Sequence, residues 1–172
     1  MGRTFFFVSI VLPLCSFQGC VNPFAPKLTH SLESGSLIVT PQRSLEEVLQ
    51  NFKVAYTFRD SLLYSDLLDT AFVFVYFDFN EGTSGRFVSW SREVDLLTTG
   101  RLFRHFQVID LVWNETLYRW EGEESGEMSK GFSLTLVGTD SDYRLLGRAV
   151  FSFRKCSDEK WRITRWKDES DI

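Results

Sequence analysis

Histidine, cysteine and basic surplus are what this 172-residue chain has least of, and each shortage narrows what it can do. There are two histidines, His30 and His105, and His105 has no second ligand type two, three or four residues on. Local spacing therefore builds no zinc-type site, and no metal or other cofactor is expected. No Gly-x-Gly-x-x-Gly follows a strand pattern, and the phosphate loop, the Gly-x-Ser-x-Gly elbow and the His-Glu-x-x-His helix are also missing. With 19 basic against 23 acidic residues, the formal charge of −4 offers no footprint for nucleic acid. Long apolar runs are scarce as well. The one at residues 4–17 is shorter than the roughly 20 residues a spanning helix needs.

Aromatic residues are what the chain has in plenty: 17 phenylalanines, five tyrosines and five tryptophans, 16% of all residues. With 44% hydrophobic residues the chain can bury a core, so disorder is excluded. Rings pack well on sheets, which favours a β-rich fold. The length fits one ordinary domain.

At the N-terminus, Arg3 is the only charge before position 27, and an apolar run leads to Gly19-Cys20. Such a segment has the form of a secretory signal. Gly19-Cys20 resembles the lipobox of bacterial lipoproteins, although Phe17 and Gln18 stand where that motif has leucine and a small residue. The resemblance implies a signal peptide over 1–19, lipidation of Cys20, and a bacterial envelope location, membrane-anchored and facing out of the cytoplasm, periplasmic or cell-surface. Residues 20–39 then read as a flexible tether, with Pro23, Pro26, Ser31, Ser34, Gly35 and Ser36, before a domain over 40–172. Cys15 leaves with the signal, so Cys156 is unpaired. A Cys20–Cys156 disulfide is the alternative if Cys20 is not lipidated.

Two starts compete for the first helix: Thr40 as cap with Pro41 following, or Ser44 with Glu47 as a capping box. Leu45, Val48, Leu49, Phe52 and Tyr56 form its apolar stripe. Asp60 caps a second helix carrying Leu62, Leu63, Leu67 and Leu68. Residues 71–79 read as a strand, 86–90 as its return, and 91–99 as a third helix ended by Gly100. Strands follow at 103–120, 128–137, 143–155 and 161–166, with a polar hairpin loop at 121–127. In the last strand Trp161 and Ile163 fall on one side and Arg162, Thr164 and Trp166 on the other. Helices first and a strand meander after imply α+β, with N-terminal helices packed on one face of a curved antiparallel sheet.

That order, the entry Glu46-Glu47-Val48-Leu49-Gln50-Asn51-Phe52 and the exit from Gly147 through Trp161-Arg162-Ile163-Thr164-Arg165-Trp166 resemble the nuclear transport factor 2-like (SnoaL-like, cystatin-like) superfamily. The resemblance covers roughly residues 40–168. It implies a cone-shaped α+β domain whose highly curved antiparallel sheet wraps the helices, with a pocket at the open end. Its members include isomerases, dehydratases, cyclases and non-catalytic binding domains, so the fold leaves function open.

Catalysis in such a cone needs a carboxylate or a histidine facing an apolar pocket, where burial raises a carboxylate's pKa. Asp78 ends an apolar strand, near where the resemblance implies a catalytic aspartate; as a strand-end residue it can equally face water. Asp110 interrupts a strand: facing in, it brings Val108 and Val112 inward, whereas facing out it leaves Ile109, Leu111 and Trp113 as the better inner face. The resemblance implies a substrate hydrogen bond from Tyr56, which otherwise packs with its hydroxyl tied to a neighbour. Phe74, Tyr76 and Trp113 are the expected pocket lining. His105 is expected exposed at a strand start. The leading expectation is a lipid-anchored module binding a small hydrophobic ligand or an envelope protein. A pocket-carboxylate enzyme and a homodimerisation domain are the alternatives.

Overall fold

The computed structural model describes residues 38–170, and Cys15, Cys20 and His30 lie outside them. Helix α1 (Leu45–Phe58) begins where Ser44 accepts a hydrogen bond from the Glu47 N–H at 3.3 Å. Glu47 returns its carboxylate to the Arg43 N–H (2.6 Å), one residue earlier than in a regular capping box. The Thr40 start loses because Gln42 has φ of 61°, which no helix can hold. Thr40 is instead clasped to the side of α1: its N–H donates to Asn51 Oδ1 (2.7 Å) and its C=O accepts from Asn51 Nδ2 (3.0 Å).

Arg59 takes the left-handed conformation (φ 57°) that closes α1. Asp60 then caps α2 (Ser61–Leu67), accepting from the N–H groups of Leu62 and Leu63, as its position in the sequence predicts. Strand β1 (Leu68–Asp78) runs into the turn that leads to β2 (Arg86–Ser91). Helix α3 (Arg92–His105) is longer than the sequence predicts. Gly100 does not end it, since Gly100 is buried inside the helix and the chain leaves helical geometry only at Phe106. His105 is therefore an exposed last helical residue, not the start of a strand.

Strands β3 (Val108–Glu121), β4 (Ser125–Val137), β5 (Asp142–Lys155) and β6 (Trp161–Asp168) complete a six-stranded sheet in the order β2-β1-β6-β5-β4-β3. All neighbours pair antiparallel except β1 with β6. The loop between β3 and β4 is shorter than the polar run there, because Ser125 to Glu127 already pair with β5. The three helices pack on one face of this curved sheet. Buried between them are Leu45, Val48, Leu49 and Phe52 of α1, Phe103 of α3, and Met128, Phe151, Phe153, Trp161 and Ile163 of the sheet.

One irregularity reorders the last strand. Phe153 pairs with Ile163, yet the next β5 residue, Ser152, pairs with Arg165. Thr164 is thus the extra residue of a β-bulge, with its hydroxyl donating to Ser152 O at 3.2 Å. An extra residue inverts the alternation beyond it. Trp166 therefore lies on the same face as Trp161 and Ile163, against the expectation of a regular strand, and its ring meets Phe74 edge-on at 4.9 Å.

Candidate functional site

Between α1, α3 and the concave face of the sheet lies a cavity of about 190 Å³. Helix α1 contributes Phe52 and Tyr56, β1 Phe74 and α3 Leu102. The sheet contributes Leu111 and Trp113 from β3, Phe132 and Leu134 from β4, Leu145 and Leu146 from β5, and Trp166 from β6. Asp168 and Ser170, at the C-terminal end of the last strand, are the polar side chains on its wall other than the Tyr56 phenol and the two indoles.

The rings hold one another in place. Phe52 stacks on Tyr56 (4.7 Å, 15°) and meets Trp166 edge-on (5.4 Å, 81°). Trp113 is fixed by donating its indole N–H to Leu49 O (2.8 Å). The Trp166 Nε1 is buried and has no acceptor among the described residues. Offset and edge-to-face contacts of this kind stiffen a wall beyond what burial alone supplies.

Bulge and strand end together place the acid. Trp166 and Asp168 are two residues apart, so both fall on the inner side of β6 once Thr164 has shifted the phase. Asp168 Oδ1 accepts from the Ser170 N–H (3.0 Å) and hydroxyl (2.6 Å). Glu169 ties the same segment to β5, its N–H donating to Arg148 O (2.8 Å) and its carboxylate pairing with Arg148 (2.5 Å) and Lys167 (2.6 Å). Gly147 makes room for this crossing. A β-carbon there would stand 1.9 Å from Ser170 Oγ and 2.7 Å from the Phe132 ring.

Of the residues expected at the pocket from the sequence, Phe74, Trp113 and Tyr56 are on the cavity wall. Tyr76 is not; it packs behind Phe74 (5.9 Å) and beside Trp90 (5.1 Å). Asp78 stays at the end of β1, outside the cavity, where its carboxylate accepts from the Asn80 N–H (2.9 Å) and shapes the turn. Asp110 is exposed opposite Thr135, on the face away from buried Ile109 and Leu111. Neither aspartate can touch a molecule in the cavity, so neither serves as its carboxylate.

The Tyr56 hydroxyl points into a polar cluster that the sequence reading misses. Asp95 of α3 is 3% exposed, accepting from the Tyr64 hydroxyl at 2.6 Å and from the Trp90 indole N–H at 3.0 Å. Burial raises the Asp95 carboxyl above the usual range, and these two hydrogen bonds oppose the rise. Tyr56 is pushed well above an ordinary tyrosine, first by burial and then by the Asp95 charge, while hydrogen bonds to Thr99 and Tyr64 act the other way. Tyr56 is thus a neutral phenol whose ring faces the cavity and whose hydroxyl belongs to this cluster. No group of three or more metal-ligating acids, histidines or cysteines occurs among the described residues.

No protein-family model matches the chain, and no curated protein matches it in sequence. Solved structures do match in shape. A nuclear transport factor 2-like superfamily protein from Salmonella enterica superposes with a TM-score of 0.56 at 14% identity, over 73% of this chain and 87% of that one. The fold is nuclear transport factor 2-like. A candidate dehydratase of the nuclear transport factor 2-like family from Streptomyces avermitilis matches with a TM-score of 0.60 at 14% identity, over 76% and 96% of the two chains. A candidate scytalone dehydratase from Novosphingobium aromaticivorans reaches 0.63 at 12% identity, over 76% and 83%. At such identities the likeness reports a nuclear transport factor 2-like cone, which agrees with the helix-then-meander order of the sequence, and not a shared chemistry.

Proposed function

We propose that this nuclear transport factor 2-like domain is a receptor for a small apolar molecule, carried outside the cytoplasm on a lipid attached to Cys20. The observation behind the first half is the cavity wall: rings and leucines throughout, with the carboxylate of Asp168 at one end. A dry cavity of about 150 Å³ is large enough for benzene. At about 190 Å³ this one suits a single substituted ring or a short branched chain, and is smaller than most drug-sized pockets. Asp168 favours ligands that carry a hydrogen-bond donor opposite their apolar end.

Titration with p-cresol, read by calorimetry and by tryptophan fluorescence, tests the receptor. Saturable binding to the wild type is expected, with loss of binding in Leu134→Phe, which fills the cavity at a stability cost of about 1–2 kcal/mol. Binding that Leu134→Phe leaves intact would place the ligand elsewhere. For the anchor, palmitate labelling of wild type against Cys20→Ser decides, and equal labelling of the two refutes lipidation.

A second reading, proton transfer on a bound substrate, draws on Asp168 and on the dehydratase descriptions of two structural neighbours. Here Asp168 takes the place of Asp78 and Asp110 as the pocket carboxylate. Turnover of an eliminable aromatic alcohol that Asp168→Asn abolishes, with binding unchanged, would favour this reading over simple binding.

A further inference from the structure

A second concavity shares no residue with the ring-lined cavity. It is an open groove of about 700 Å³ between α2, the start of β1, the start of α3 and the β5–β6 turn. Its walls carry Arg92, Arg154, Lys155 and Arg162 against the carboxylates of Asp66 and Asp69.

Both carboxylates hold cations, Asp69 buried and Asp66 still 42% exposed at its side chain. Asp69, 2% exposed, accepts from Arg154 Nη2 (2.6 Å), the Ala71 N–H (2.8 Å) and the Cys156 thiol (3.7 Å). Asp66 holds Lys160 (2.8 Å) and Arg162 (3.2 Å), while the neighbouring Asp158 takes Arg162 (2.8 Å) and Glu159 takes Lys155 (2.6 Å). Arg92 alone among these cations forms no ion pair among the described residues. Glu93, next in the chain, turns its carboxylate to the Ser91 hydroxyl instead (2.6 Å).

Arg92 is nevertheless held still. Its Nη2 donates to Ser65 O (2.9 Å) and Ser65 Oγ (2.8 Å), and its Nε is buried without an acceptor. Three arginines from three elements thus face one groove, each fixed by a partner, and one of them, Arg92, is in no ion pair among the described residues, its charge acting on Glu93 only from beyond ion-pair distance. A planar carboxylate matches one guanidinium fork, whereas a tetrahedral oxyanion accepts donors from several directions.

We propose that this groove binds a phosphoryl group, with Arg92 as its fixed donor and Lys155 and the exposed edge of Arg154 closing on it. The group can come as free phosphate or on a phospholipid headgroup; the chemistry of capture is the same.

The test uses the full chain in a non-ionic detergent. Thermal unfolding is followed against inorganic phosphate and against chloride at matched ionic strength. A phosphate-specific rise in Tm is expected, with the apparent affinity about tenfold weaker in Arg92→Gln, the loss of one charge-assisted hydrogen bond. Lys155→Gln should weaken it less, because Lys155 is already paired with Glu159, and carries the test if Arg92→Gln does not fold. In parallel, binding to phosphatidylcholine vesicles with and without phosphatidic acid is compared for the same variants. A preference for phosphatidic acid that Arg92→Gln or Lys155→Gln reduces, without a response to inorganic phosphate, assigns the headgroup source. Phosphate acting no differently from chloride, together with no preference for phosphatidic acid, overturns the proposal. So does a phosphate or phosphatidic acid response that both variants retain in full.

Discussion

At the scale of the residue, Asp95 carries the sharpest consequence. Its carboxylate accepts from two buried donors, the Tyr64 hydroxyl and the Trp90 indole N–H, of which Tyr64 also has hydrogen bonds to Thr99 and Tyr56. Asp95→Ala leaves the Trp90 N–H without its acceptor and a hole beside it, so urea unfolding should show a loss of about 2 kcal/mol. Asp95→Asn keeps the shape: its oxygen still accepts from Trp90, and its amide can donate to the Tyr64 oxygen once that hydroxyl turns. A loss of no more than about 1 kcal/mol is expected at neutral pH. The two variants also differ from wild type in their pH response. Because burial raises the folded Asp95 pKa above its unfolded 3.8, the folded state holds its proton to higher pH than the unfolded state does. Stability from this group is complete below 3.8 and is lost as pH rises through the folded value. Asp95→Asn has no such loss, so it should gain on wild type over that interval; a constant difference would refute the raised carboxyl. Asp95 was hidden in the sequence because Val94, Leu96 and Leu97 beside it look like the inward residues. Val94 and Leu97 are in fact exposed, at 45% and 52%, and the buried face is Asp95, Thr99, Gly100 and Phe103. Only Tyr64, 31 residues away, and Trp90 make an inward aspartate tolerable, and no local pattern shows such partners.

At the scale of the element, what was legible divides by whether local chemistry decides the outcome. Ser44, Asp60 and the α1 stripe are local, so α1 and α2 can be read directly. The inner face of β3 is also legible, since Ile109, Leu111 and Trp113 make a better apolar row than the alternative holding Asp110. The β6 phase is not, because a bulge depends on how β5 pairs across from it, and Thr164 carries no mark of its own. Deleting Thr164 makes this visible. Without the extra residue the strand runs regularly from Ile163 facing in, through Arg165 facing out, to Trp166 and Asp168 facing in, so the cavity keeps its wall. The deletion gives up the Thr164 hydroxyl bond to Ser152 O and little else, so urea unfolding should show a loss of about 1 kcal/mol with p-cresol still bound. A deletion variant that unfolds at far lower urea and binds no p-cresol would show that one extra residue at Thr164 does not account for the inward face of Trp166.

At the scale of the whole molecule, the acidic residues act in opposite senses, and this fixes the shape of the stability curve in acid. Asp69 ties the start of β1 to Arg154 near the end of β5, 85 residues away. Burial alone would raise its pKa, but the Ala71 N–H and the Arg154 guanidinium outweigh burial and hold it below the ordinary 3.8. Asp66, held by Lys160 and Arg162 against the same opposing burial, is shifted in the same direction. For both, the unfolded chain takes up protons first as the pH falls. Their stabilisation is complete above 3.8 and is lost as the pH drops through their folded values, whereas Asp95 regains stability over its own, higher interval. Acid should therefore act in two stages, a slight gain or plateau as Asp95 protonates and then a decline. Asp69→Asn isolates the second stage. Near pH 7 it should cost about 1–2 kcal/mol, the lower part of the range for a charged hydrogen bond because Arg154 is half exposed. Measured by urea unfolding at successively lower pH, that cost should shrink once the wild-type Asp69 also becomes neutral. A cost that stays constant down to pH about 2 would mean that the Asp69–Arg154 contact contributes no charge-dependent stability, and that packing alone holds the start of β1 against the end of β5.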